Sequence, residues 1–183
     1  MTQLPLYDVS IILNLHDEAR YFKRTLSSLE DAIRYARQFA LVFELIVVLD
    51  RASPATRNIA EAYDYSVFDG VQIIHVRNGS LGLSRNDGIA VARGEYIATA
   101  DADDLVSFDY FQRLYMTARS GGGRAIVFPE YYFGFGIDNY IWKFCEHRHI
   151  GNATFFERHP YISRVLFHRD VAHKVRFADV SLK

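Results

Sequence analysis

The sequence has a single cysteine, Cys145, in 183 residues. An internal disulfide is therefore excluded, and such sparing thiol usage fits a reducing compartment. An excess of charge is also lacking: the formal net charge is −1. General electrostatic attraction to nucleic acid or to an anionic membrane is not expected. No apolar run approaches the roughly 20 residues that a membrane-spanning helix needs. Residues 1–7 lack the charged-then-apolar pattern of a secretory signal. No GxGxxG follows the first apolar run, which removes a dinucleotide-binding dehydrogenase. The expectation is one soluble cytoplasmic domain, with peripheral attachment to a membrane left open.

What is present is an alternation. Half the residues are hydrophobic and 23% are charged, an ordinary globular balance. Residues 8–13 (DVSIIL) read as a buried strand. Phe22, Leu26, Leu29, Ile33 and Ala36 then recur at helical spacing. Residues 43–49 give a second strand, and Ser53-Pro54 caps and opens a helix that turns Ile59, Ala60 and Tyr63 inward. A third strand over 71–76 leads through a loop to a helix from about Leu83, closed by Arg93-Gly94. A fourth strand over 95–100 ends in Asp101-Ala102-Asp103-Asp104. Ser107 is placed to cap a helix with Phe108, Phe111, Leu114, Tyr115 and Ala118 on one face. Residues 124–133 read as a fifth strand, and 162–168 as a returning one. The pattern predicts an α/β fold, a mainly parallel sheet with helices on both faces.

In an open α/β sheet, ligands bind beyond the carboxyl ends of the strands. The polar residues expected there are Asn14, His16, Asp17 and Glu18 after the first strand and Asp50 after the second. Ser84, Arg85 and Asn86 follow the third, and the three aspartates follow the fourth. Three carboxylates so close repel one another unless a cation sits among them. Hard oxygen ligands suit Mg²⁺ or Mn²⁺, which take part of their shell from phosphates. The acidic turn thus fits a diphosphate site completed by a metal, although a DxD alone is also what a solvated, helix-capping turn looks like.

Two sets of blocks carry a resemblance. Residues 9–12 and 20–22 with 44–50 (ELIVVLD) resemble the opening of family 2 glycosyltransferases. Residues 83–90 (LSRNDGIA), 92–97 (ARGEYI) and 101–104 (DADD) are similar to that family's central signature. The resemblance implies a GT-A fold (Rossmann-like), a nucleotide-sugar donor and inverting transfer to a hydroxyl acceptor on a glycan, a lipid-linked sugar or another molecule. By matched position it implies that Asp50 accepts the uracil N3–H, so that the donor is a UDP-sugar. It further implies that Asp101 contacts the ribose at the first DxD position, that Asp103 binds Mn²⁺ or Mg²⁺, with Asp101 as a second candidate ligand, and that Arg85 supports the nucleotide. His16 falls where an aromatic often stacks on the base, and Asn14 lies beside it. Leu49 replaces a frequent aspartate, and Asn14 and His16 replace a frequent proline and tyrosine, so a dTDP- or GDP-sugar stays open. The family's general base usually lies in a later Glu-Asp pair. None occurs after Glu30-Asp31, and the expectation is that the base lies beyond Lys183. Residues 1–120 read as the nucleotide-sugar-binding part and 121–183 as the start of an acceptor side.

Other readings compete at several points. Cys145, His147 and His149 supply at most three ligands, too few for a closed zinc site. The aromatic run from Tyr131 to Phe156 reads as core or a homodimer contact before it reads as a sugar platform. Asp104 is as well placed to cap the next helix as to touch a metal, Asp17 and Glu18 to satisfy the first helical turn. His159 and His168 lack a motif match. A catalytically incomplete nucleotide-sugar-binding or scaffolding module is the alternative function. An aspartyl phosphohydrolase would need its DxD after the first strand, and a sugar nucleotidyltransferase a glycine-rich basic loop there.

Overall fold

The computed structural model describes residues 4–122, 126–129, 164–172, 174 and 176–179 in full, and 131–135 and 140–144 as backbone. The strands are β1 (Tyr7–Leu15), β2 (Phe43–Asp50), β3 (Gly70–Val76), β4 (Gly94–Asp101), β5 (Ile126–Val127), β6 (Tyr131–Phe135), β7 (Tyr140–Phe144) and β8 (Leu166–His168). The helices are α1 (Phe22–Ala36), α2 (Pro54–Glu61), α3 (Leu81–Val91), α4 (Tyr110–Ser120) and a single turn, α5 (Arg169–Ala172). Six strands form one sheet in the order β3-β2-β1-β4-β8-β5, and β6-β7 form a separate antiparallel pair. The pairs β1–β2, β1–β4 and β2–β3 are parallel, whereas β8 runs antiparallel to β4 and β5.

Strands β1, β2 and β4 are buried on both faces, as their mostly apolar runs require, and the edge strand β3 is half-buried. Val9, Ile11, Leu13, Leu45 and Val47 pack with Phe22, Leu26, Leu29, Ile33, Phe111 and Leu114 of α1 and α4. On the other face Ile12, Ile46, Val48, Ile97 and Phe167 meet Ile89 of α3 and Val171 of α5. Burial holds α1 in place, since its N-cap Tyr21 makes no side-chain capping bond. A missing cap costs about 1 kcal/mol; each large apolar side chain buried is worth about 1.5–3 kcal/mol. Ser53 does cap α2, its Oγ accepting the Thr56 N–H at 3.3 Å with Pro54 in the first turn. α3 comes close to the sheet at Gly88, where a Cβ would stand 2.6 Å from Ile12 Cγ2.

Some expected boundaries move. α3 begins at Leu81, with Ser80 at its N-cap. Tyr63 lies beyond α2, and its hydroxyl donates to Glu30 at 2.8 Å. Ser107 is not a cap: its hydroxyl donates to Asp109 Oδ1 at 2.6 Å, and α4 starts at Tyr110. Phe108 consequently falls outside the helix and is 60% exposed. The expected strand over 124–133 is two elements in different sheets, parted at Phe128-Pro129, where proline removes a ladder donor. The returning strand is Leu166–His168. Cys145, His147, His149 and His159 lie outside the described residues.

At the amino edge of the sheet sits Glu44, fully buried. It accepts the Ser10 hydroxyl (2.6 Å), the Arg93 N–H and Nε–H (both 2.9 Å) and the Gln72 amide (2.8 Å). Ser10 Oγ in turn accepts the Gly94 N–H at 2.8 Å. Truncating Glu44 strands the buried Ser10 hydroxyl and removes the acceptor shared by Arg93 and Gln72. Glu44→Ala should lower the unfolding free energy by about 2–4 kcal/mol, read by urea denaturation, with Glu44→Gln losing less because it keeps acceptors in place.

Candidate nucleotide-sugar site

The parallel register brings the expected residues to one edge. Asn14 pairs with Val48 on one side and with Asp101 on the other. The end of β2, with Asp50, and the end of β4, with Asp101, therefore flank β1, about two strand spacings (~10 Å) apart.

Asp50 is 8% exposed. Its carboxylate accepts the Gly79 N–H (2.8 Å to Oδ2, 3.1 Å to Oδ1) and the Ser84 hydroxyl (2.7 Å). Gly79 has φ +66, and the Arg51 guanidinium lies against it, so that a Cβ would stand 2.8 Å from Arg51 Cζ; the turn favours glycine. Burial pushes the Asp50 carboxyl up. The Ser84 hydroxyl and the N–H groups of Gly79, Asn78 and Ser80 outweigh it and hold the group below its ordinary 3.8. A carboxylate has about four lone-pair positions, and a further donor would meet Oδ1 beside its longer Gly79 contact. His16 is exposed, and its Nδ1–H donates to the Asp50 carbonyl at 2.8 Å. That bond fixes the tautomer and the plane of the ring.

At the end of β4, Asp101 is clasped by two arginines. Arg85, buried, donates to Oδ1 at 2.5 Å, and Arg164 to Oδ2 at 2.9 Å. Arg164 also pairs with Asp104. Burial pushes the Arg85 guanidinium down and the Asp101 charge opposes it. Burial likewise pushes the Asp104 carboxyl up, against the pull of Arg164. Asp103 is exposed. Among the described residues no group of three His, Cys, Asp or Glu side chains could by itself hold a metal. The donor set fits a cation that takes one carboxylate, Asp103, and completes its shell from water and phosphate, the habit of Mg²⁺.

Asn14 is 7% exposed, and both polar atoms of its amide lack a hydrogen-bond partner. Buried amides are rarely left so, and this one sits beside Asp101 at the mouth of the sheet. Ser80 Oγ, at the N-cap of α3, is likewise buried without a partner. Glu18 is structural: its carboxylate accepts the His16 N–H at 2.5 Å, and its carbonyl accepts the Tyr21 and Phe22 N–H groups.

Ser84, Arg85 and Asn86 thus have three separate tasks. Ser84 holds Asp50, Arg85 holds Asp101, and Asn86 clamps the backbone of Phe177, donating to its carbonyl (2.8 Å) and accepting its N–H (3.0 Å). The Phe177 ring in turn lies 5.4 Å from the Arg85 guanidinium. Asp179 follows that clamped segment. Asp170, by contrast, follows His168, which pairs with Tyr96 near the start of β4. Five residues of strand separate Tyr96 from Asp101, roughly 16 Å, so neither Asp170 nor His168 reaches the acidic turn.

A mainly parallel α/β sheet whose carboxyl edge gathers a hydrogen-bonded aspartate, an orphaned amide and an acidic turn has the architecture of the GT-A fold. The glycosyl transferase family 2 model matches residues 10–175, and the chain belongs to that family. It is 35% identical over 111 residues to the glycosyltransferase EpsH of Bacillus subtilis (strain 168), which covers 60% of this chain and 30% of EpsH. It is 38% identical over 107 residues to EpsJ of the same organism, covering 58% of this chain and 29% of EpsJ. The matches thus span about three-tenths of the length of these relatives. Among solved structures, Staphylococcus aureus TarS (residues 1–349) superposes with a TM-score of 0.65 at 17% identity, over 94% of this chain and 51% of that one. The complex of TarS with UDP-GlcNAc gives 0.54 at 21% identity, over 66% and 33%.

Two outcomes follow from the geometry. A carboxyl with a depressed folded pKa stabilises the fold above its unfolded value, and that stability is lost as pH falls through the folded value. The stability gap between the protein and Asp50→Asn should hold from neutral pH to about the ordinary carboxylate value of 3.8 and close below it, as urea titrations across that range would read. Arg164→Gln removes the guanidinium shared by Asp101 and Asp104. It should lower stability in metal-free buffer by about 1–3 kcal/mol, measured the same way.

Proposed function

We propose that this chain binds a UDP-sugar at the carboxyl edge of its sheet and serves an inverting glycosyl transfer to an acceptor hydroxyl. The observation that carries the reading is the orphaned Asn14 amide between the Asp50 and Asp101 strand ends. In this assignment Asp50 Oδ1 accepts the uracil N3–H, Asn14 faces the base, and the oriented His16 ring stacks on it. Asp101, whose two oxygens are each oriented by one arginine and keep a second lone pair, accepts a ribose hydroxyl, and Arg85 supports the nucleotide through it. Asp103 holds Mn²⁺ or Mg²⁺ against the diphosphate. When bound, the cation offsets the negative charge that grows on the diphosphate as the glycosidic bond breaks. A solved complex of TarS holds UDP-GlcNAc and another holds UDP, which supports a uridine donor here. No described helix is long and apolar enough to cross a membrane.

Base selection tests the assignment directly. Cytosine presents a lone pair where uracil presents N3–H, so CDP should bind at least about tenfold more weakly than UDP. Asp103→Ala should abolish the Mn²⁺ dependence of UDP affinity while leaving the unfolding midpoint in place. Isothermal calorimetry with UDP, CDP and GDP, with and without Mn²⁺, reads both. Equal affinity for CDP would remove Asp50 from base recognition, and GDP outcompeting UDP would reassign the donor.

A further inference from the structure

Side chains on β2 alternate between the two faces of the sheet. Asp50 turns toward α3, where Gly79 and Ser84 hold it. Leu49, one residue earlier, faces the α1–α2–α4 side and pairs across the ladder with His75. At the carboxyl ends of β2 and β3 a cleft of about 550 Å³ opens, lined by Leu49 and His75 of that second face, Val76 of the other, and Arg51, Arg57 and Arg77. Arg57 comes from α2, Arg51 from the end of β2, and Arg77 from the end of β3. Three neighbouring segments thus contribute three arginines to the lining of one concavity, in a chain whose net charge is −1.

These charges are left largely uncompensated. Arg51 sits at φ +49, and its guanidinium donates only to backbone carbonyls, of Arg77 at 3.3 Å and Asn78 at 3.5 Å. Among the described residues, neither the Arg57 nor the Arg77 side chain has a hydrogen bond or ion pair. Among the described residues, the acidic side chain paired with a lining residue is Glu61, 3.4 Å from His75. Like charges gathered without a partner repel, and an anion with several oxygens relieves that repulsion. Guanidinium forks match the oxygens of a phosphate two at a time, with more geometric specificity than lysines would supply.

We propose that the cleft between α2 and the carboxyl ends of β2 and β3 is an anion site for a phosphate or phosphodiester group, adjoining the Asp50 end of the nucleotide edge. This goes beyond the donor assignment and does not depend on it. The phosphate reaches the cleft either on a soluble molecule or at a bilayer surface, and the probes distinguish these. Inorganic tripolyphosphate is titrated calorimetrically into the protein in metal-free buffer at low and moderate salt. In a second arm, vesicles of phosphatidylglycerol or phosphatidylcholine are sedimented with it.

The expected result is tripolyphosphate binding that weakens with salt and is at least about tenfold weaker in Arg57→Gln/Arg77→Gln. Arg57→Lys/Arg77→Lys should retain an intermediate affinity, since the charge persists while the fork is lost. UDP affinity with Mn²⁺ should stay within about twofold in both variants, because the groups that hold the Asp50 carboxylate are Gly79 and Ser84, not Arg57 or Arg77. Retention on anionic but not neutral vesicles, lost in the Gln variant, would support the site and place its phosphate on a lipid. The proposal is overturned if the Gln variant binds as the parent does, if neither probe binds at low salt, or if UDP displaces tripolyphosphate. Both positions are exposed, so the thermal midpoint should not move and would report any loss of fold.

Discussion

Strand β2 carries a carboxylate at each end of one face, and α3 is strapped across that face by both. Asp50 holds the approach to the helix through Gly79 and its first turn through Ser84. Glu44 holds the chain just past its last turn through Arg93. The lengths agree: 11 helical residues span about 16 Å, and the six steps from Glu44 to Asp50 about 20 Å. Midway, Gly88 lets the helix come down on Ile12 and Val48. A one-residue slip of β2 would turn both carboxylates to the other face. The two straps therefore fix register and helix together, and the location of every group at the carboxyl edge follows from them.

The acidic turn after β4 illustrates how a site can be charged for a ligand and still fold without it. Asp101, Asp103 and Asp104 would repel if left alone. Arg85 and Arg164 supply internal cations to two of them, leaving Asp103 as the one facing solvent. The fold thereby carries its own counter-charge, and only one carboxylate is left for an external cation. The same division of labour appears on α3, where consecutive residues point about 100° apart and so reach three different parts of the chain.

Much of this was legible from local pattern. The four parallel strands, α1 and the Ser53 cap follow from periodicity and from the chemistry of short polar side chains, which act within a few residues. The start of α4 was misread because Ser107 has two options, and its hydroxyl prefers the Asp109 carboxylate to an orphan N–H. The strand expected through Phe128-Pro129 ran on apolar character alone and neglected what proline does to a ladder. At the site, Asp50, Asp101 and Arg85 were visible through resemblance. Ser84, Gly79 and Arg164 were not assigned their contacts, for a different reason. An arginine that bonds carboxylates far earlier in the chain leaves no local periodicity behind, and the Gly79 N–H likewise reaches an aspartate 29 residues earlier.

The order of strands in the sheet differs from their order of synthesis. β8 emerges after every other strand, yet it fills the place between β4 and β5. At ~5–20 residues per second, a nascent chain would hold a four-stranded parallel core with the outer side of β4 unpaired for several seconds. Such an edge is open to pairing with another chain. Arg164 arrives just ahead of β8, so the acidic turn also stays without its second guanidinium until then. Translation speed through the segment after α4 thus bears on how long the half-built sheet is vulnerable to association with its neighbours on a polysome.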